Sequence, residues 1–85
     1  MTQEQMRQQI RQKVIELAKE IGKDASSLTN DQILPLTGFL DSTAIMALIT
    51  WYELTFGLDI PQEELTVDNF GSVNQMVEYV RQRAS

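Results

Sequence analysis

Cysteine and histidine are both absent from the 85-residue sequence. Their absence excludes disulfides, thiolate and imidazole nucleophiles, Cys/His zinc sites and any histidine-centred acid–base pair. Most small catalytic sites are thereby removed, and the chain reads as a protein that is not itself an enzyme. Long apolar runs are missing too, and the N-terminal stretch Met1-Thr2-Gln3-Glu4-Gln5 has no basic-then-apolar character. The expectation is a cytoplasmic protein with neither a membrane span nor a signal peptide. The length leaves room for one domain, residues 1–85, and a hydrophobic fraction of 42% beside 22% charged residues is enough for a modest core rather than disorder.

Basic residues are absent over one long segment. From Asp24 to Val80 there are nine carboxylates and no lysine or arginine, whereas residues 1–23 sum to +2 and Arg81 with Arg83 adds another +2, giving the total of −5. Such a field repels nucleic acid and attracts cationic protein surfaces. The plainer reading is that the acids keep a small protein soluble. The carboxylates Asp24, Asp31 and Asp41 do not fall at metal-loop spacing.

What is present is helical patterning. Ile10, Val14, Leu17, Ala18 and Ile21 recur on one face and predict a helix from about Gln3 to Ile21, with Thr2 and Gln5 as a capping box and Gly22 ending it. Its charges read as a solvated face, with Glu16 near Lys19 and Glu20 near Lys23. Residues 22–41 form a long connection whose Leu28, Ile33, Leu34, Leu36, Phe39 and Leu40 predict an ordered loop rather than a linker. Thr29 and Gln32 are placed to cap a short turn within it.

Asp41 or Ser42 then caps a second helix with Ile45, Leu48, Ile49, Tyr52 and Phe56 on its inner stripe and Gly57 at its end. The other side is also apolar or neutral. Met46, Ala47, Thr50 and Leu54 point away from the stripe, Trp51 sits on its shoulder and is expected to be partly exposed, and Glu53 is the one charge from Ser42 to Phe56. A helix of this kind is either deeply buried or presents a binding face. Pro61 predicts a short helical piece through Glu63 and Glu64, and Thr66 another turn through Phe70. Ser72 with Gln75 starts the last helix, with Val73, Met76, Val77 and Val80 facing inward. Three substantial helices and a minor one make a small all-α four-helix bundle with a long ordered loop between helices I and II.

The chemistry-bearing feature is a serine opening a helix after that loop, in Gly38-Phe39-Leu40-Asp41-Ser42. Nothing in the sequence activates Ser42 as a nucleophile. Its position suits a phosphate ester, because free backbone N–H groups and the helix dipole stabilise an anion by about 0.3 to 1 kcal/mol. The structural alternative is that Asp41 or Ser42 merely caps the helix.

From Gly38 to Val80 the chain resembles the acyl and peptidyl carrier proteins. The matching blocks are Leu40-Asp41-Ser42, Phe56-Gly57-Leu58-Asp59-Ile60-Pro61 with Glu63 and Glu64 beyond, and Phe70-Gly71-Ser72-Val73, at the family spacing. The resemblance implies the acyl-carrier-protein fold and a 4'-phosphopantetheine arm, taken from coenzyme A and attached covalently to Ser42 by a carrier-protein synthase (phosphopantetheinyl transferase). It gives Asp41 a part in recognition by that synthase. The cargo would ride as a thioester between a loading ligase or acyltransferase and downstream transfer or tailoring enzymes, on a monomer that touches no membrane.

Thr43 replaces the leucine or isoleucine that commonly follows the serine in this family. Ala44, Ala47, Leu54 and Thr55 stand where fatty-acid carriers bear acids. The pattern looks more like free-standing carriers of aminoacyl, pyrrolyl or other specialised acyl groups, as in secondary metabolite biosynthesis or envelope modification. On this reading Thr43, Met46, Ala47, Thr50, Trp51 and Leu54 form a neutral docking face for partner enzymes. The alternative function is an unmodified helical interaction module that docks through the same apolar face.

Overall fold

The apolar spacing of the first twenty residues produces helix α1, Gln3–Glu20. Thr2 accepts from the Gln5 amide and the Gln5 side chain accepts from the Thr2 amide, so the capping box is complete. At the far end the amides of Gly22 and Lys23 donate back to the carbonyls of Lys19 and Ala18, the paired bonds that close a helix just past its last turn. The computed structural model describes residues 2–84. Met1, which begins the N-terminal stretch considered above, and Ser85 lie outside the described residues.

Four further helical segments follow: α2 at Leu34–Thr37, α3 at Ser42–Phe56, α4 at Val67–Phe70 and α5 at Val73–Ala84. A single 3-10 turn, Gln62–Glu64, stands between α3 and α4. There is no strand among the described residues, and the protein is all-α, as expected. Helix α1 packs on α3 and α5, and α4 lies on α5. Ile10, Val14, Leu48, Tyr52, Val73 and Met76 meet in the middle and are almost fully removed from solvent. Each such aliphatic side chain contributes roughly 1.5 to 3 kcal/mol on burial.

The long connection is ordered for a reason only partly visible in its apolar residues. Ala25, Leu28, Leu34 and Leu40 enter the core. Arg11 on α1 also donates to the carbonyls of Leu28 and Ser26, and Arg7 donates to Asn74 Oδ1 at 2.8 Å. The Asn74 amide bonds the Asn30 carbonyl at 3.0 Å, and its side chain donates to Asp31. The α1 charges are therefore not simply a solvated face: Arg11 holds the loop directly, and Arg7 holds Asn74 of α5, which in turn bonds the loop. Glu16 lies 3.9 Å from Lys13, its neighbour one turn earlier, rather than pairing with Lys19.

Three local details also differ from the sequence reading. Pro35, within the stretch expected to be a loop, sits in the first turn of α2, where its fixed φ is helix-compatible and no donor is lost. Thr66 precedes α4 but makes no side-chain cap bond. Ser72 does cap α5, accepting from the Gln75 amide at 3.1 Å, but the Gln75 side chain donates to the Asp68 carbonyl instead of reaching back. Gly71, between α4 and α5, is required by space. A Cβ there would run into the Val67 carbonyl oxygen and the Val67 side chain.

Candidate functional site

Leu40 and Ala44 are buried, and the residues between them, Asp41, Ser42 and Thr43, are exposed. The start of α3 is thus fixed from below by two apolar side chains while its first turn faces outward. Asp41 is the N-cap. Its Oδ1 accepts from the Ala44 amide at 2.7 Å, and its carbonyl receives the Ile45 amide at 2.9 Å. That leaves Ser42 as the first helical residue, with its hydroxyl free for chemistry rather than used as the cap. The amides of Ser42 and Thr43 have no protein hydrogen-bond partner among the described residues. Two outward N–H groups at the positive end of a fifteen-residue helix favour an anion esterified to the Ser42 oxygen.

Along the same side of α3, Thr43, Met46, Ala47, Thr50 and Leu54 are exposed, Met46 to 60% and Leu54 to 80%. These five lie on one face, neutral throughout. Trp51 stands at its border and turns toward α1. It is half-buried, makes an edge contact with Phe56 at 6.1 Å, and lines a groove with Thr55, Gln5, Gln9 and Gln12. Glu53 is not part of the face either. Its carboxylate accepts from the Ile60 amide at 3.2 Å and secures the chain after Gly57.

A second feature was not foreseen. An apolar cleft of about 190 Å³ opens between α3 and the segments on either side of it, lined by Leu34, Ile45, Met46, Leu65, Val67 and Phe70. Met46 belongs to both the cleft and the exposed face and stands one helical turn beyond Ser42. Leu65 and Val67 are themselves exposed, as is Leu36 in α2, at 83%. In the run Ile33-Leu34-Pro35-Leu36 nothing distinguishes the buried leucine from the open one without the turn geometry.

The family model for the phosphopantetheine attachment site matches residues 8–80, which run from within α1 through most of α5 and include this helix start. The chain belongs to this family. The acyl carrier proteins of Rickettsia canadensis (strain McKiel) and Rickettsia massiliae (strain Mtu5) are each 34% identical to it over 77 residues, 89% of this chain and 87% of theirs. That of Rickettsia prowazekii (strain Madrid E) is 32% identical over the same shares. The protein is accordingly a phosphopantetheine carrier and not an enzyme, with the group held covalently. The exposed hydroxyl and the two unpartnered amides fit such an ester. No helix among the described residues is long and apolar enough to cross a membrane.

Proposed function

We propose that Ser42 is the attachment point and that this protein carries an apolar acyl group between partner enzymes of a specialised biosynthesis in the cytoplasm. The observation that carries the reading is the exposed Ser42 hydroxyl in the first turn of α3, with Asp41 rather than Ser42 occupied as the cap. The arm, when attached, supplies the thiol that this sequence lacks and holds its cargo as a thioester. The protein's own residues orient that arm. The Ser42 and Thr43 amides favour its phosphodiester, and buried Leu40 and Ala44 keep the turn from shifting.

The cleft favours an acyl over an aminoacyl cargo. Its lining is nearly all apolar, so an ammonium entering it would lose its hydration with no carboxylate to receive it. Asp41 lies beside the attachment oxygen on the exposed turn, where the carrier-protein synthase must approach, and serves its recognition. Thr43, Met46, Ala47, Thr50 and Leu54 offer the loading and transfer enzymes a neutral surface, with Trp51 at its edge. Intact mass after incubation with coenzyme A and a broad-specificity carrier synthase tests the assignment. Wild type gains one phosphopantetheine and Ser42→Ala gains none. Modification of the alanine variant moves the attachment elsewhere and ends the proposal, while an unmodified wild type points to an interaction module instead.

A further inference from the structure

The outer wall of the apolar cleft is its weakest part. Leu65 and Val67 belong to the segment Gln62–Phe70, which comprises one 3-10 turn and one four-residue helix, neither with a side-chain cap bond. So short a helix has little stability of its own. Phe70 anchors one end, buried with its ring 5.6 Å from Tyr52 and 4.6 Å from Tyr79.

The other end follows buried Ile60, and between these two anchors the Glu64 side chain ties the 3-10 turn to α5. The Glu64 carboxylate accepts from the Tyr79 hydroxyl at 3.2 Å and from the Arg83 guanidinium, both on α5. Arg83 also lies over the Tyr79 ring, 4.7 Å from its centre. The Glu64 carbonyl receives the Asn69 side chain at 2.8 Å, which ties the 3-10 turn to α4. None of these contacts involves Ser42 or Asp41, and nothing in the attachment chemistry uses them. They fix the residue directly before Leu65, which with Val67 lines the cleft.

We infer that Glu64, Tyr79 and Arg83 are positioning residues that latch the Gln62–Phe70 wall and so set the length of acyl chain the cleft accepts. The inference rests on the proposed acyl cargo. With the latch made, the cleft keeps its volume of about 190 Å³ and suits a short chain. With it broken, the wall between Ile60 and Phe70 can bow outward and admit a longer one. A half-exposed ion pair with one long hydrogen bond from a phenol to the same carboxylate is the right strength for this: strong enough to bias the wall, weak enough to open.

Two readouts on Glu64→Gln, Arg83→Met and Tyr79→Phe test the latch. The first is amide exchange in the unloaded protein at Asn69, Phe70 and Gly71, whose N–H groups bond within the wall. Exchange there is expected to rise about three- to ten-fold in the variants, with α1 amides unchanged, and Arg83→Lys to recover part of the protection. The second is the response of the Leu65 and Val67 methyl signals to hexanoyl and dodecanoyl groups loaded on the arm. Wild type should respond mainly to the shorter chain and the variants to both. Unchanged exchange in all three variants overturns the latch. Wild-type methyl signals that ignore both chains overturn the cargo reading itself, whereas a wild type that responds and variants that match it overturn only the role of the latch in selecting length.

Discussion

The hydroxyl of Tyr52 donates to the carbonyl oxygen of Met76 across 2.7 Å, joining the middle of α3 to α5 inside the core. Tyr52 is the largest fully buried side chain of the protein, and its ring meets Phe56 and Phe70 edge-on. Burial first, and Tyr79 nearby second, push its phenol well above the ordinary value of 10.0. One bond thus satisfies the only polar atom of a side chain otherwise surrounded by hydrocarbon.

A pH dependence follows from that shift. A phenol whose pKa is raised on folding contributes stability that is complete below pH 10 and is lost as pH climbs from there toward the folded value. The loss from one tyrosine is about 1.4 kcal/mol per pH unit in that window. Tyr52→Phe is expected to cost about 1 to 1.5 kcal/mol at pH 7 and to draw level with wild type as pH rises past 10. Urea midpoints of both proteins at pH 7, 10 and 11 measure this, and a gap that stays constant with pH would show that Tyr52 does not titrate out of the core. With no histidine in the sequence, both proteins should show a flat profile around neutrality.

The two residues at the start of α3 separate in the same measurement. Asp41 supplies the cap bond and Ser42 supplies none, so Asp41→Ala should cost about 0.5 to 2 kcal/mol and Ser42→Ala close to nothing. Equal losses from the two would mean that the cap is shared and the serine hydroxyl is not free in solution.

Most of the fold was legible because its signals are local and redundant. In α1, the Ile10-Val14-Leu17-Ala18 stripe, the Thr2–Gln5 box and Gly22 all indicate the same helix, and the structure uses each of them. The same holds for Asp41 and Gly57 around α3, where Gly57 takes a φ of +64° that most side chains disfavour. What the sequence could not show depends on partners far apart in the chain. Arg7 and Arg11 look like any solvated helix charges until Asn74 and Leu28 are brought beside them, 67 and 17 residues away. Glu64 likewise reads as one acid of a pair until Arg83 folds back onto it. Of the site, Asp41, Ser42 and the neutral face could be placed by counting turns, whereas the cleft is a gap between three segments and has no one-dimensional signature.

Neutrality of the α3 face carries a prediction about salt. Thr43, Met46, Ala47, Thr50 and Leu54 offer no charge to screen, and Glu53 is engaged at the Ile60 amide. Screening length falls from about 10 Å at 0.1 M salt to 3 Å at 1 M, which slows association steered by charge and leaves apolar docking largely unchanged. Loading rates with a cognate enzyme should therefore change little over that range. A steep fall would transfer the docking role to the remaining acids, Asp41, Asp59 and Glu63 foremost.

The last prediction separates docking from packing residue by residue. Leu54 is 80% exposed, so Leu54→Ala should leave the urea midpoint within the scatter of surface substitutions, about 0.5 kcal/mol either way. Trp51 is half-buried and pairs edge-on with Phe56 at 6.1 Å, so Trp51→Ala gives up that aromatic pair and part of its buried area. Its expected cost is about 1 to 2 kcal/mol, short of the 3 to 5 kcal/mol of a fully buried aromatic. Transfer from the cognate loading enzyme should fall sharply with Leu54→Ala and Met46→Ala, because an exposed apolar side chain that a partner desolvates contributes to binding what it does not contribute to folding. Trp51→Ala should slow transfer as well, through the border of the face, but only beside a measurable loss of stability. If Met46→Ala and Leu54→Ala both transfer at the wild-type rate while Trp51→Ala does not, then docking is centred on the groove between Trp51 and the glutamines of α1, and the neutral stripe leading from Ser42 is not the contact surface.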